Sequence, residues 1–176
     1  MHPLTWQDKL RETKVAARNT PGLHVEFSAS PAGATDAFIA HVVRRFPFVS
    51  EEYLDFLRLT DGAQIEMCVF FGSEDSRQGS LFHAASRWRN IIDLHGGLPV
   101  GEDAGGACFV LNTQGAIRLV ENDPPTSENG VLLAASLGEF FGDILMGPRF
   151  PALYGKQSLS QLANAWTKYL GDRGWA

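Results

Sequence analysis

The chain of 176 residues has two cysteines, no long apolar run and few cations in its long middle segment. Each shortage excludes something. Cys68 and Cys108 form no Cys-x-x-Cys and lie inside apolar runs, the setting of buried free thiols rather than of a disulfide framework. No stretch approaches the ~18 apolar residues of a membrane-spanning helix. The first nine residues, Met1 to Lys9, lack the apolar core of a secretory leader, which makes the cytoplasm the expected compartment. No internal period marks a repeat array.

The scarcity of cations is local. Residues 1–45 carry six Lys/Arg against four acids and residues 147–176 carry four against one, whereas residues 46–146 have five arginines against fifteen acids. That middle segment has a net charge of −10 within a whole-chain charge of −5. It would repel a phosphate backbone, so nucleic acid is a poor partner and a basic protein a good one. Its acids gather in loops: Glu74 and Asp75, then Glu102 and Asp103, then Glu121, Asp123 and Glu128. The candidate partner-binding residues are Glu74, Asp75, Glu102, Asp103, Glu121 and Asp123, and a solvated acidic surface is the plain alternative.

What remains is ordinary for a globular protein, 44% hydrophobic and 20% charged, and the length fits one domain over residues 1–176. Thr5 to Arg18 can form a helix, with apolar positions Leu4, Trp6, Leu10 and Val15, broken by Asn19-Thr20-Pro21-Gly22. Leu23 to Phe27 alternates as a short strand. Asp36 to Phe46 reads as a helix with Phe38, Ile39, Val42, Val43 and Phe46 on one face, Thr35 as cap and Pro47 as stop. Ser50 opens a second helix, with Glu51 and Glu52 in its first turn, Tyr53, Leu54 and Leu57 as its stripe, and Asp61-Gly62 as its end.

Ile65 to Phe71 alternates like one strand. Leu81, Phe82, Ala85, Trp88, Ile91 and Ile92 keep helical spacing up to Gly96-Gly97, which places His95 at a helix C-terminus. Two strands, Ala107 to Leu111 and Ala116 to Val120, flank the hairpin loop Asn112-Thr113-Gln114-Gly115. Val131 to Ala134 is a short apolar strand. Ser136 and Glu139 match a capping box before Phe140, Phe141, Ile144 and Leu145. Ser158 and Gln161 match another, before Leu159, Leu162, Ala163, Trp166, Tyr169 and Leu170. Helices flanking a run of hairpin-joined strands indicate an α+β fold.

Chemistry-bearing patterns are absent from the sequence. Gly101 to Gly106 is glycine-rich, but a strand sequence without Lys-Ser/Thr follows it and it carries Glu102 and Asp103, so a structural turn is expected there rather than a phosphate cradle. His83, His95, Cys68 and Cys108 are scattered without metal-ligand spacing, so no metal and no cofactor are expected. There is no Gly-x-Ser-x-Gly, and adjacent acid pairs such as Glu51/Glu52 and Glu74/Asp75 are common on surfaces. The expectation is a protein that is not an enzyme.

Three segments resemble the SMI1/KNR4 (SUKH) family. Phe46 to Leu57 followed by Thr60-Asp61-Gly62 is similar to the family's helix and turn, with Asp61 where Asn is usual. Leu98 to Leu111 is similar to its strand entry, with Ala107 where a polar residue is commoner. Ala135 to Phe141 is similar to its closing helix start. The resemblance covers about residues 46–146, leaving helical extensions at both ends. It implies a mixed, mostly antiparallel curved sheet flanked by helices and used for binding. Bacterial members neutralise toxins as immunity proteins, which would give this chain a cognate toxin as partner, with no nucleic acid and no membrane involved. Fungal members are regulatory scaffolds, a second reading of the chain as an interaction protein. A small-molecule-binding enzyme is the third reading, and a deep pocket with perturbed ionisable groups would be its mark.

Overall fold

The computed structural model describes residues 4–28, 33–121, 130–153 and 165–176. Its elements in chain order are α1 (Trp6–Ala16), β1 (Val25–Phe27), α2 (Asp36–Arg45), α3 (Glu51–Thr60), β2 (Ala63–Ile65) and β3 (Cys68–Phe70). There follow α4 (Leu81–Trp88), β4 (Gly97–Glu102), β5 (Cys108–Asn112), β6 (Ile117–Val120), β7 (Val131–Ala134), α5 (Leu137–Glu139) and α6 (Ala165–Asp172). A π-helical stretch, Phe140–Leu145, continues α5, and a 3-10 turn covers Phe150–Leu153. The fold is α+β: the seven strands pair antiparallel in chain order, an open meander with helices packed on it. The capping box at Ser158 and the apolar positions Leu159, Leu162 and Ala163 lie outside the described residues.

The starts of α1 to α4 each have a side-chain acceptor for an orphan N–H. Thr5 Oγ1 accepts from Asp8 N, Thr35 Oγ1 from Phe38 N, Ser50 Oγ from Tyr53 N and Ser80 Oγ from His83 N. On α1 the buried face is Trp6, Leu10, Thr13 and Ala16, and of the apolar positions named above Leu4 and Val15 are exposed. On α2 Ile39 and Val42 are buried while Val43 is exposed. The expected capping box at Ser136 is offset by one residue: Ser136 Oγ accepts from Glu139 N, but the Glu139 carboxylate accepts from Ala135 N at 2.7 Å and from Arg149 Nη1 at 2.6 Å.

Those two contacts hold the Glu139 carboxyl below its ordinary value of 4.5, the backbone N–H of Ala135 contributing most and Arg149 next. A depressed carboxyl stabilises the fold above its unfolded value, and that stabilisation is lost as pH falls through the folded one. Glu139→Gln should therefore flatten the decline of melting temperature between about pH 5 and pH 3, which thermal melts of both proteins across that range would measure. An unchanged slope would mean the contact contributes nothing.

Three sequence expectations need correction. The alternating stretch Ile65 to Phe71 is a hairpin, not one strand: Ile65 pairs with Cys68, and Glu66 turns the chain at φ 53°. Glu66 N donates to His24 O at 2.7 Å, so tertiary contact holds a backbone conformation that glutamate rarely adopts. Secondly, α4 ends at Trp88, whose carbonyl accepts from both Ile91 N and Ile92 N. His95 therefore lies in the turns beyond the helix. Thirdly, Gly101 and Glu102 belong to β4, and the turn contracts to Asp103–Gly106, with Gly106 at φ 83°.

Register sorts the side chains onto two faces. Phe27, Ala63, Phe70, Gly101, Phe109 and Leu119 form one cross-strand row on the main-core face, and Leu98, Leu111, Ile117 and Ala134 form another. Helices α1, α3 and the α5–π segment bury this face through Trp6, Leu10, Phe56, Leu57, Phe140 and Phe141. On the opposite face the row is Glu26, Gln64, Val69, Glu102, Cys108 and Val120. Its β5–β6 half is covered by Trp88 and Ile92, which form a second small cluster with Cys108, Val110 and Val120. Cys68 sits beside Val69 in sequence and so projects to the opposite side from Cys108. Both thiols are buried, and the sheet separates them.

The ends of the chain meet. Lys9 Nζ on α1 donates to the carbonyls of Gly142 and Met146 at 2.8 and 3.0 Å, satisfying acceptors left over at the π segment, and lies 5.4 Å from the Trp175 ring centre. Arg173 pairs with Glu12 at 2.6 Å.

Candidate functional site

The six candidate residues map unevenly onto this frame. Glu102 ends β4, Asp103 begins the following turn, and Glu121 follows Val120 at the end of β6, so all three stand at the same end of the sheet. The row Glu102–Cys108–Val120 places Glu121 about two strand spacings, or ~10 Å, from Glu102. Glu74 and Asp75 are exposed in the loop before α4. Asp123, like Glu128, lies outside the described residues.

Helix α4 links two of these groups. It crosses beside β3 and β4 and leaves a cleft of about 270 Å³, floored by Val69, Phe71 and Ala84 and rimmed by His83, Arg87 and Glu102. At the N-terminal end of α4, Ser80 Oγ donates to Glu74 Oε1 at 2.6 Å. At its C-terminal end the Glu102 carboxylate accepts from Trp88 Nε1 at 2.6 Å and from Arg87 Nη2. Seven residues of helix, ~10 Å, separate the two ends. Asp103 Oδ1 accepts from Ala107 N at 2.9 Å, fixing the β4–β5 turn. Glu102 and Asp103 thus shape the sheet as well as charging its surface. From sequence His83 reads only as a scattered histidine and Trp88 only as part of a helix stripe, and Ser80 and Arg87 go unnamed, because their place beside Glu74 and Glu102 depends on where α4 lies across the sheet.

A second cleft, about 310 Å³, opens between the turns after α4 and the β5–β6 loop, with Ile92, Val110 and Val120 below and Asp93, Asn112 and Arg118 at its edge. Asn112 is engaged in the loop itself, its Oδ1 accepting from Gln114 N and Ala116 N.

In the α4 cleft the Ser80 hydroxyl donates to Glu74 Oε1, and its oxygen is occupied as the helix cap, accepting from His83 N at 3.2 Å. Burial, and the Glu102 carboxylate beside it, push the Cys108 thiol up and keep it protonated. Burial likewise pushes the Tyr53 hydroxyl up, with the Asp61 carboxylate adding to it. Asp61 is itself tied down: buried at the left-handed end of α3 (φ 51°), it accepts from Ser73 N at 2.7 Å and Ser73 Oγ at 2.8 Å. An aspartate tolerates that conformation much as asparagine does, so Asp61 can close the turn. Among the described residues no group of three or more His, Cys, Asp or Glu could hold a metal ion, and no helix is long and apolar enough to cross a membrane.

No protein-family model matches the sequence, and no curated protein matches it.

Proposed function

We propose that the chain is a non-catalytic protein-binding domain of the SMI1/KNR4 (SUKH) type, an immunity protein that acts in the cytoplasm on a cognate secreted toxin. What supports the family reading is that the three resembling segments pack on one another. Glu52 of the first accepts from Gly138 N of the third at 3.0 Å, Phe56 lies 5.1 Å from Phe141, and Phe109 of the second lies 5.2 Å from Phe140. The binding reading rests on the acids that ring one end of the sheet and the α4 cleft, in a segment of net charge −10. Such a surface accelerates encounter with a basic partner and is screened beyond about 8 Å at physiological salt.

The test is rescue. If a large secreted protein is encoded beside this chain, cells producing its C-terminal domain should die, and co-production of the chain should restore their growth. Association of the purified pair should slow steeply with salt while dissociation changes little. Killing that persists in the presence of folded chain would overturn the immunity reading.

A further inference from the structure

We propose that the α4 cleft receives one cationic side chain, an arginine or lysine, from the partner protein, with Glu102 as the anchoring carboxylate. The inference rests on the protein-binding reading above and assigns it a point of contact. Arg87 and Trp88 both donate to the same oxygen of Glu102, Oε1, so the carboxylate is oriented before any ligand arrives. Its other oxygen has no hydrogen bond among the described residues, and the side chain keeps 22% of its surface exposed on the cleft wall. Val69 is the cross-strand neighbour of Glu102 on the same face, and with Phe71 and Ala84 it gives an apolar floor. Carboxylate at the end and apolar wall along the length match a long amphipathic cation, whose methylenes bury while its head stays polar. Among the residues lining the cleft the carboxylates Glu102 and Asp103 outnumber the one guanidinium, Arg87, so an incoming positive charge meets net attraction. At about 270 Å³ the space falls below the ~300–1,000 Å³ of sites for drug-sized ligands and suits a single side chain.

The probe is N-acetyl-arginine methylamide, titrated into the whole chain and followed by amide and indole NMR, with the neutral citrulline analogue as control. Saturable shifts should centre on the Trp88 indole N–H and the backbone N–H groups of Val69 and His83, and the citrulline analogue should leave them in place. Glu102→Gln should weaken binding of the arginine derivative about tenfold, the cost of one charge-assisted hydrogen bond. Val69→Lys gives a second handle should that variant fail to fold: a lysine opposite Glu102 would occupy the cleft from within and abolish the titration. Shifts mapping elsewhere, equal shifts with citrulline, or undiminished binding to either folded variant would overturn the assignment. A toxin neutralised with unchanged affinity by folded Glu102→Gln would overturn the cleft and leave the immunity reading standing. Arginine binding in the cleft without protection against any toxin would do the reverse.

Discussion

Gly101→Ala should remove about 3 kcal/mol of stability, a large effect for one methyl group on a strand. The reason is a ring stack across an intervening strand. Phe70 on β3 and Phe109 on β5 both pair with Gly101 on β4, and their rings stack over it with centres 5.7 Å apart and planes 15° from parallel. Strands two positions apart are separated by ~9.6 Å, so the rings meet only because nothing projects between them. A Cβ on Gly101 would lie 2.4 Å from Val69 O and 2.9 Å from Phe70 Cδ1. The carbonyl is backbone and can move only by opening the β3–β4 pair. Urea unfolding of the two proteins would measure the loss, and an alanine variant within about 0.5 kcal/mol of the parent would show that the bulge after Pro99 absorbs the methyl group.

Phe141→Ala should cost more, about 3–5 kcal/mol. Phe141 is fully buried on the π segment, and its ring touches those of Trp6 (5.7 Å), Phe56 (5.1 Å), Phe70 (5.0 Å) and Phe140 (5.9 Å). It thereby joins α1, α3 and the sheet at one point. Aromatic neighbours on fixed elements cannot collapse into the space left behind, so the cavity persists and its cost adds to the lost transfer energy. Against a typical total of about 5–15 kcal/mol, the variant should show a much lower urea midpoint and, at physiological temperature, a measurable unfolded fraction. Phe141→Leu, which refills much of the volume, should recover more than half of the loss. Equal midpoints for the alanine variant and the parent would contradict this packing.

Elements whose punctuation is local were legible in the sequence. Thr35 and Ser50 announce α2 and α3, and Asn112 to Gly115 announces the β5–β6 hairpin, because the residues that cap or turn the chain lie within four positions of where they act. Elements shaped by distant contacts were not. Glu66 turns the β2–β3 hairpin without glycine or asparagine, held by the carbonyl of His24. Strand β4, Gly97-Leu98-Pro99-Val100-Gly101-Glu102, looks like loop by composition. Its glycines are demanded by neighbours: a Cβ on Gly97 would meet Val110 and Ile92, as one on Gly101 would meet Val69 and Phe70. The same blindness hid half of the candidate site. The carboxylates Glu74, Glu102 and Asp103 stand out as charge in the sequence, but Ser80, Arg87 and Trp88 became their neighbours only once β4 and α4 were placed side by side.

The meander bears on how the protein folds. Every strand pairs with its successor in the chain, through hairpins or through connections that carry α2 with α3 and α4, and the entropic cost of closing such loops grows only slowly with their length. The contacts that close the whole molecule are of another kind. Lys9 with Gly142 and Met146, and Glu12 with Arg173, span 133 to 161 residues. Contacts so distant in sequence are the last to repay their loop closure, so the sheet should be largely paired in the transition state while α1 is still undocked. Lesions at Lys9 or Glu12 would then leave the refolding rate nearly unchanged and shorten the lifetime of the native state, making the seam between the two ends of the chain the place where unfolding begins.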